Sequence, residues 1–168
     1  MTLTINNKFY VTKIVFTLFL LILFIIQNRV KADDLFMIRS VQPFPEAMAS
    51  LQKAIGHTGN TLSRVQRIDV GLAKMGYKTD KYRIVFYGKL NEINKLVEKH
   101  PELIPYLPLK IAIFSENGET LITATNPERL SEMYPDKSLK PIFLEWSKNL
   151  RKIMDEVQKV SDNEKYID

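Results

Sequence analysis

The tetrapeptide Glu116-Asn117-Gly118-Glu119 constrains the fold more than any other feature of this sequence. Asn-Gly is the preferred pair for a two-residue type I′ turn, because both positions of that turn need positive φ. The apolar segments on either side, 107–116 and 120–126, are therefore predicted to form a β-hairpin. With Asn117 and Gly118 in the turn, Ile113 faces Ile122 and Ile111 faces Ala124 on one surface, while Phe114 faces Leu121 and Ala112 faces Thr123 on the other.

Both surfaces of this predicted hairpin are mostly apolar. An antiparallel pair often keeps one polar surface in water, and this hairpin has none. We therefore expect either that other elements cover both surfaces or that one surface meets a partner chain.

The rest of the chain alternates between strand and helix patterns. Strands are predicted at 36–42, 61–72 and 82–90, and the last is so continuously apolar that we expect it in the interior of the sheet. Helices are predicted from apolar spacing at 43–55, 127–134 and 138–160, and from a cap at Asn91 to a stop at His100-Pro101. The order β-α-β-β-α-β-β-α-α predicts one small α+β domain with an antiparallel or mixed sheet and packed helices.

The domain is preceded by a predicted leader helix. Residues 14–26 are an uninterrupted apolar run after Lys8 and Lys13, and Val30-Lys31-Ala32 places small residues before a cleavage site between Ala32 and Asp33. A spanning helix needs ~20 apolar residues, so the short run favours a cleaved signal peptide, with a retained anchor as the alternative. Both alternatives place the domain at 33–160, and its polar tail at 161–168, in the periplasm or another extracytoplasmic compartment of a bacterial envelope.

The formal net charge of +5 does not describe the folded part. Four basic residues and no acidic residue precede position 33, which leaves 20 basic and 19 acidic residues in 33–168. A near-neutral domain lacks the basic face that nucleic-acid binding needs, so we expect no nucleic-acid partner. The sequence also has no cysteine, which excludes disulfides, thiolate metal sites and cysteine nucleophiles.

Five segments together carry a family-level signal. They are Arg67-Ile68-Asp69-Val70, the strand Tyr82 to Gly88 (YRIVFYG), residues 91–100, Leu107 to Ile113 (LPLKIAI) and Ala124 to Leu130 (ATNPERL). In this pattern the chain resembles the family called domain of unknown function 302, over roughly residues 36–134. The resemblance implies a compact α+β fold that is sometimes paired as a dimer, and it brings no agreed activity or catalytic residue. The long helix around Trp146 lies beyond it, which leaves open whether that helix belongs to the core fold or docks a partner.

No catalytic or cofactor motif is recognisable. His57 lies in a predicted turn and His100 precedes a helix-ending proline, so neither has partners at the spacing that a zinc ligand or general base needs. No serine lies in a G-x-S-x-G elbow or an S-x-x-K motif, and the phosphate-binding glycine motifs are missing. We therefore predict no catalytic residue, no metal site and no cofactor.

Basic residues are concentrated between Arg64 and Lys89, where seven stand against two acidic residues. One interpretation is a solvated loop and cationic strand edges that deter aggregation. The other is a surface for an anionic ligand, a lipid headgroup or an acidic partner, formed by Lys74, Lys78, Lys81 and Arg83.

The last predicted helix carries an apolar stripe formed by Trp146, Leu150, Ile153 and Val157. Such a stripe is typical of a helix that packs on a core. The alternative is an interface with a second copy or with an envelope protein, because tryptophan is enriched at interface centres.

Three functions remain open. The leading hypothesis is an exported or membrane-tethered binding or interaction module without enzymatic activity. The second is a small enzyme or ligand carrier, which a pocket joining His57 or His100 to a carboxylate would favour. The third is a structural dimerisation unit, which the absence of a polar cleft would favour.

Overall fold

The structure is a computed structural model that describes residues 34–164, without the side chain of residue 164. Its strands are β1 (Leu35–Ser40), β2 (Thr61–Arg67), β3 (Tyr82–Gly88), β4 (Leu109–Glu116) and β5 (Glu119–Thr125). Its α-helices are α1 (Phe44–His57), α2 (Ile68–Lys74), α3 (Leu90–Lys99), α4 (Leu130–Met133) and α5 (Lys140–Glu164). Short 3₁₀ helices span Pro101–Tyr106 and Pro127–Arg129.

The strands form an antiparallel sheet in the order β1-β5-β4-β3-β2, which confirms the predicted α+β class. β3 lies between β4 and β2, in the interior position expected from its apolar sequence. The hairpin has the predicted register, with Ile113 opposite Ile122 and Phe114 opposite Leu121. Its turn residues Asn117 and Gly118 have φ of 52° and 85°, as a type I′ turn requires.

The main core lies where α1 and α5 pack on one face of the sheet. Its fully buried side chains come from both helices and three strands: Leu51, Ile55, Leu150, Ile153, Val157, Val85, Tyr87, Ile111, Ile113 and Ile122. Removing each large apolar side chain from water stabilises the fold by ~1.5–3 kcal/mol. The long helix around Trp146 therefore belongs to the core fold.

A second, smaller core joins the first half of α5 to α4 and the 3₁₀ helix at Pro101–Tyr106. Its buried members are Leu103, Leu130, Leu139 and Phe143. Half-buried side chains surround it, including Leu96, Ile142 and Trp146. The second core thus holds the start of α5 in place beside α3.

The opposite face of the sheet has no such cover among the described residues. Ile84, Ala112, Phe114 and Thr123 are half-buried there, Leu121 is 5% exposed, and all five belong to neither core. The hairpin is therefore packed against helices on its first surface and half-exposed on its second. The expectation that a partner chain covers this second surface stays a prediction.

The predicted strand at 61–72 was wrong beyond Arg67. Arg67 pairs with Arg83 at the start of β3, so the residues that follow have no strand left to pair with. They form α2 instead, and Asp69 of this helix makes an ion pair with Arg83. The sequence predicts a strand here because Ile68 and Val70 are β-branched, which is typical of strands.

Two helix boundaries also differ from prediction. α3 begins at Leu90 and not after a cap at Asn91, because the carbonyl of Lys89 already accepts the N–H groups of Glu92 and Ile93. α5 begins later and ends later than the predicted helix at 138–160, and its last turn includes the first four residues of the polar tail. Ser161 is buried, and its Oγ accepts the backbone N–H of Val41 at 2.9 Å.

The predicted leader at 14–26 and the predicted cleavage site at Ala32-Asp33 lie outside the described residues, as do the last four residues of the tail. Among the helices of residues 34–164, none has the length and apolarity to cross a membrane.

Candidate ligand-binding site

A pocket of about 430 Å³ opens between α3 and the first half of α5. Its base is formed where β3 ends and β4 begins, at Gly88 and Leu109. The lining residues of α3 and α5 recur every three or four positions, so each helix turns one face towards the pocket. The volume lies within the range of ~300–1,000 Å³ that is typical of small-molecule sites.

The wall of this pocket is mainly apolar. Its apolar side chains come from both helices and from the segment before β4: Ile93, Leu96, Leu107, Leu109, Ile142 and Trp146. The indole of Trp146 rests against the buried ring of Phe143, with 5.6 Å between ring centroids. Phe143 belongs to the second core, so one side of the Trp146 indole packs against that core while the other side lines the pocket.

An ion-pair bridge spans the two helices at one end of the pocket. Lys89 Nζ lies 3.2 Å from Glu92 Oε1 on α3 and 3.3 Å from Glu145 Oε1 on α5. The hydrogen bonds to Glu92 and Glu145 raise the pKa of the Lys89 ammonium. Both glutamates are well exposed, so the bridge adds little stability, but it links the two helices at this end.

Two further lysines, Lys95 and Lys99, stand one helical turn apart on α3 and line the same pocket. Both are exposed, and neither has an acidic partner within residues 34–164. Two ammonium groups at this spacing present a local positive charge to anything that enters between the helices. They are suited to the carboxylate or phosphate group of a ligand.

His100 completes the polar rim. Its side chain is 21% exposed, and Nδ1 lies 3.2 Å from Glu102 Oε1. Asp136 is a second nearby carboxylate: hydrogen bonds from the backbone and side chain of Ser138 lower its pKa, and the charge of His100 contributes in the same direction. Neither Glu102 nor Asp136 lines the pocket, so His100 meets these carboxylates beside the pocket and not within it.

The hydrogen bonds of His100 show how its imidazole is used within the described residues. The described hydrogen bond of His100 goes to a carboxylate, and within residues 34–164 no hydroxyl group bonds to its imidazole. A nucleophile held by a base is therefore not formed there. An apolar cleft with a cationic rim instead matches a molecule with an apolar body and an anionic group.

The predicted basic surface is only partly available to a partner. Arg83 is engaged by Asp69, and its guanidinium lies 5.6 Å from the centre of the Phe44 ring. The ammonium of Lys81 lies over the same ring at 5.8 Å. Lys74 and Lys78 are exposed, so three of the four predicted residues retain a charge that no described carboxylate neutralises.

The predicted interface stripe is divided between core and pocket. Leu150, Ile153 and Val157 are no more than 1% exposed and pack in the main core, which matches the core-facing interpretation. Trp146 lies one turn earlier and reaches the ligand pocket instead.

The other histidine lies away from this pocket. His57 is the last residue of α1, and its Nδ1 lies 2.6 Å from Glu156 Oε1 on α5. The imidazole is 53% exposed, so this contact is a surface ion pair between the two core helices when His57 is protonated. Within residues 34–164, no cluster of three or more potential ligands is arranged to hold a metal ion.

Sequence reasoning did not single out Lys95 and Lys99. Their i, i+4 spacing beside the apolar residues Ile93 and Leu96 was a usable signal, but it is also typical of an ordinary solvated helix face. Gly88 was missed as well. A Cβ built at Gly88 would lie 2.5 Å from Ile93 Cδ1, so the absence of a side chain there lets Ile93 approach the end of β3.

Fold and pocket together define an α+β domain with one antiparallel sheet, two core helices and a small-molecule-sized cleft beside the second of them. The model of the family described as "Domain of unknown function DUF302" matches residues 36–157. The chain belongs to this family, and the match extends past the resemblance seen in the sequence to include most of α5.

A solved structure supports the same fold. The crystal structure of an uncharacterized conserved DUF302 protein from Bacillus stearothermophilus is similar to this chain, with a TM-score of 0.68 and 20% sequence identity. The similarity covers 75% of this chain and 99% of that one. No curated protein matches the chain.

Proposed function

We propose that this chain is a binding domain of the bacterial cell envelope that holds a small amphipathic anion between α3 and α5. The observation that carries the proposal is the apolar cleft beside Trp146 with Lys95 and Lys99 at its rim. An alkyl or ring portion fits the apolar wall, and a carboxylate or phosphate group fits the two ammonium groups. The proposal joins the binding-module and ligand-carrier hypotheses, because the bound partner is a small molecule.

The envelope location rests on the sequence of residues 14–32. A positive segment, an apolar run and small residues before Ala32 are typical of an exported chain. Mass spectrometry of the protein purified from membrane, periplasmic and cytosolic fractions tests this part and also finds a retained ligand. A new N-terminus at Asp33 or an intact apolar segment in the membrane fraction supports export or tethering, and an intact chain found only in the cytosol contradicts both.

Calorimetric titration of the full chain with decyl phosphate, kept below its micelle concentration, tests the binding proposal. We expect saturable binding at one site that the double change Lys95→Glu and Lys99→Glu weakens at least tenfold, since it replaces attraction by repulsion. The matched control is Lys148→Glu with Lys152→Glu, because these lysines are also one turn apart and exposed but lie outside this pocket. Equal binding by both double variants would contradict the proposal.

The predicted anionic-partner surface is a separate proposal, carried by Lys74, Lys78 and Lys81. Reversal of all three charges should weaken binding to anionic liposomes, and unchanged binding would remove this surface from consideration.

A homodimer is the second candidate, and one observation favours it. The half-exposed sheet face carries Ile84, Ala112 and Phe114, and its nearby charge is balanced internally, since Arg39 pairs with Glu116 at 2.9 Å and Glu119 at 2.8 Å. A second copy that covers the hairpin end of this face would therefore meet no unpaired charge from Arg39, Glu116 or Glu119. Light scattering of the full chain and of Phe114→Lys should then give a dimer and a monomer, and a monomer for both contradicts this candidate.

A further inference from the structure

A second pocket, of about 250 Å³, lies on the far side of Leu109 from the first. It opens between the strand ends at Tyr87 and Thr125 and the helical segment from Pro127 to Met133. Leu109 is the one lining residue that it shares with the pocket beside Trp146. The second pocket is therefore a distinct space, and it does not depend on the function proposed for the first.

Tyr87 is the unusual member of this pocket. It is 1% exposed, packs in the main core and lines the pocket. No hydrogen bond of its hydroxyl is found within residues 34–164, and the oxygen is not among the fully enclosed unpaired atoms of these residues, so it meets the pocket space. A hydroxyl in the wall of a mostly apolar space can fix the orientation of a polar ligand group that enters it.

The hydroxyl of Tyr87 is a donor under all ordinary conditions. Burial raises the pKa of the phenol far above the physiological range, so the group stays protonated. A molecule that satisfies this group must therefore offer a hydrogen-bond acceptor.

The charges at the pocket mouth favour an anionic acceptor. Arg129 is already engaged, with Nε 2.5 Å from Asp34 Oδ1 and an Nη atom 2.8 Å from Glu132 Oε1. Lys110 is exposed, and its Nζ lies 3.4 Å from the carbonyl oxygen of Pro105. No carboxylate in the described part of the chain neutralises this lysine.

The remaining lining is mostly apolar, with Leu109, Leu130, Met133 and Leu150 around the space. We propose that the second pocket binds a small carboxylate with an apolar ring or branched body, whose oxygen accepts the hydrogen of the Tyr87 hydroxyl and whose charge is directed towards Lys110. The body would occupy the space between the leucines, as apolar groups do in small-molecule sites.

Titration of the full chain with benzoate, followed by calorimetry, tests this proposal. Tyr87→Phe removes the hydroxyl and keeps the ring, and should weaken benzoate binding about tenfold or more, because a charged acceptor loses its donor. Lys110→Gln should weaken it severalfold. Tyr82→Phe is the matched control on the same strand, since Tyr82 lies outside this pocket against Phe114, and it should bind as the parent does.

Several outcomes would overturn the proposal. They are benzoate binding that Tyr87→Phe leaves unchanged, an equal loss in Tyr82→Phe, and benzamide binding as tight as that of benzoate. Tyr87→Phe should also be about as stable as the parent without ligand, because the hydroxyl makes no hydrogen bond within residues 34–164. A clear loss of stability would show a partner within the fold and exclude this role for Tyr87.

These experiments test the two pockets independently of each other. The Lys95→Glu and Lys99→Glu variant should bind benzoate normally, and Tyr87→Phe should bind decyl phosphate normally. If the parent protein binds only one of the two ligands, the proposal for the other pocket is the one that is wrong.

Discussion

At the scale of single residues, the pocket beside Trp146 depends on a missing side chain. Gly88 ends β3 where α3 begins, and Ile93 Cδ1 occupies the space that a Cβ at Gly88 would need. The contact involves the end of a flexible side chain, so a substitution at Gly88 would displace Ile93 and change the pocket wall. Gly88 thus links the end of β3 to the wall of the pocket.

The change Gly88→Ala tests this link. We expect it to lower the free energy of unfolding by about 1–2 kcal/mol, through overpacking and through backbone strain at the φ of 157°, and to weaken decyl phosphate binding. Ile93→Val removes the Cδ1 atom that would clash, so the combined variant should lose less stability than the two single changes add up to. Urea denaturation of the four proteins gives the coupling, and strictly additive losses would contradict the proposed contact.

The ion pair between Asp69 and Arg83 predicts a pH dependence of stability. The hydrogen bond from Arg83 lowers the pKa of the Asp69 carboxyl in the folded state, although burial opposes the shift. A lowered folded-state pKa means that the pair stabilises the fold above the unfolded-state value of ~3.9, and that this contribution is lost as the pH falls through the folded-state value.

Asp69→Asn should therefore be less stable than the parent at pH 7, with a deficit that shrinks as the pH falls below about 4. Urea denaturation at a series of pH values measures the deficit. Asp80→Asn serves as the control, because Asp80 is exposed and forms no ion pair in the described residues. A deficit for Asp69→Asn that is the same at pH 7 and pH 3 would contradict the charge-based explanation.

At the scale of elements, the two halves of α5 have different structural roles. Its second half buries Ile153 and Val157 against the sheet, and its first half turns Ile142 and Trp146 towards α3. The helix therefore connects core stability to the pocket wall. A change in the second half should affect folding, and a change in the first half should affect binding.

Ile153→Ala tests the role of the second half. We expect a loss of about 2–5 kcal/mol in the free energy of unfolding, because it leaves a cavity in the main core. Val160→Ala is the control on the same helix, since Val160 is 37% exposed, and it should change stability by less than about 1 kcal/mol. Similar losses from both changes would show that α5 does not pack as described.

Elements with local signals could be predicted from the sequence, and those set by distant contacts could not. The Asn117-Gly118 turn determines the hairpin register because a two-residue loop leaves one pairing. The helix at 68–74 was missed because its identity depends on where β3 begins, at Tyr82. β-branched residues then favour a strand only while a partner strand is present.

At the scale of the whole molecule, the candidate site exists only after folding. Lys95 and Trp146 belong to different helices, and the second core brings those helices together, with the Lys89 ion pairs linking them at one end. The sequence offered Trp146 as core or interface because its spacing fits both. In the structure Trp146 has a third role, which is to line the pocket, and this role depends on the α3 residues opposite the indole.

Trp146 is the single tryptophan of the chain, so its fluorescence reports directly on the pocket. The most direct test of the account is a fluorescence titration of the full chain with a decyl phosphate brominated on its alkyl chain, because bromine quenches an indole that it touches. We predict saturable quenching that Lys95→Glu with Lys99→Glu shifts to at least tenfold higher concentration and that Lys148→Glu with Lys152→Glu leaves unchanged. Quenching that does not saturate, or that is the same in both variants, would contradict a binding site between α3 and α5.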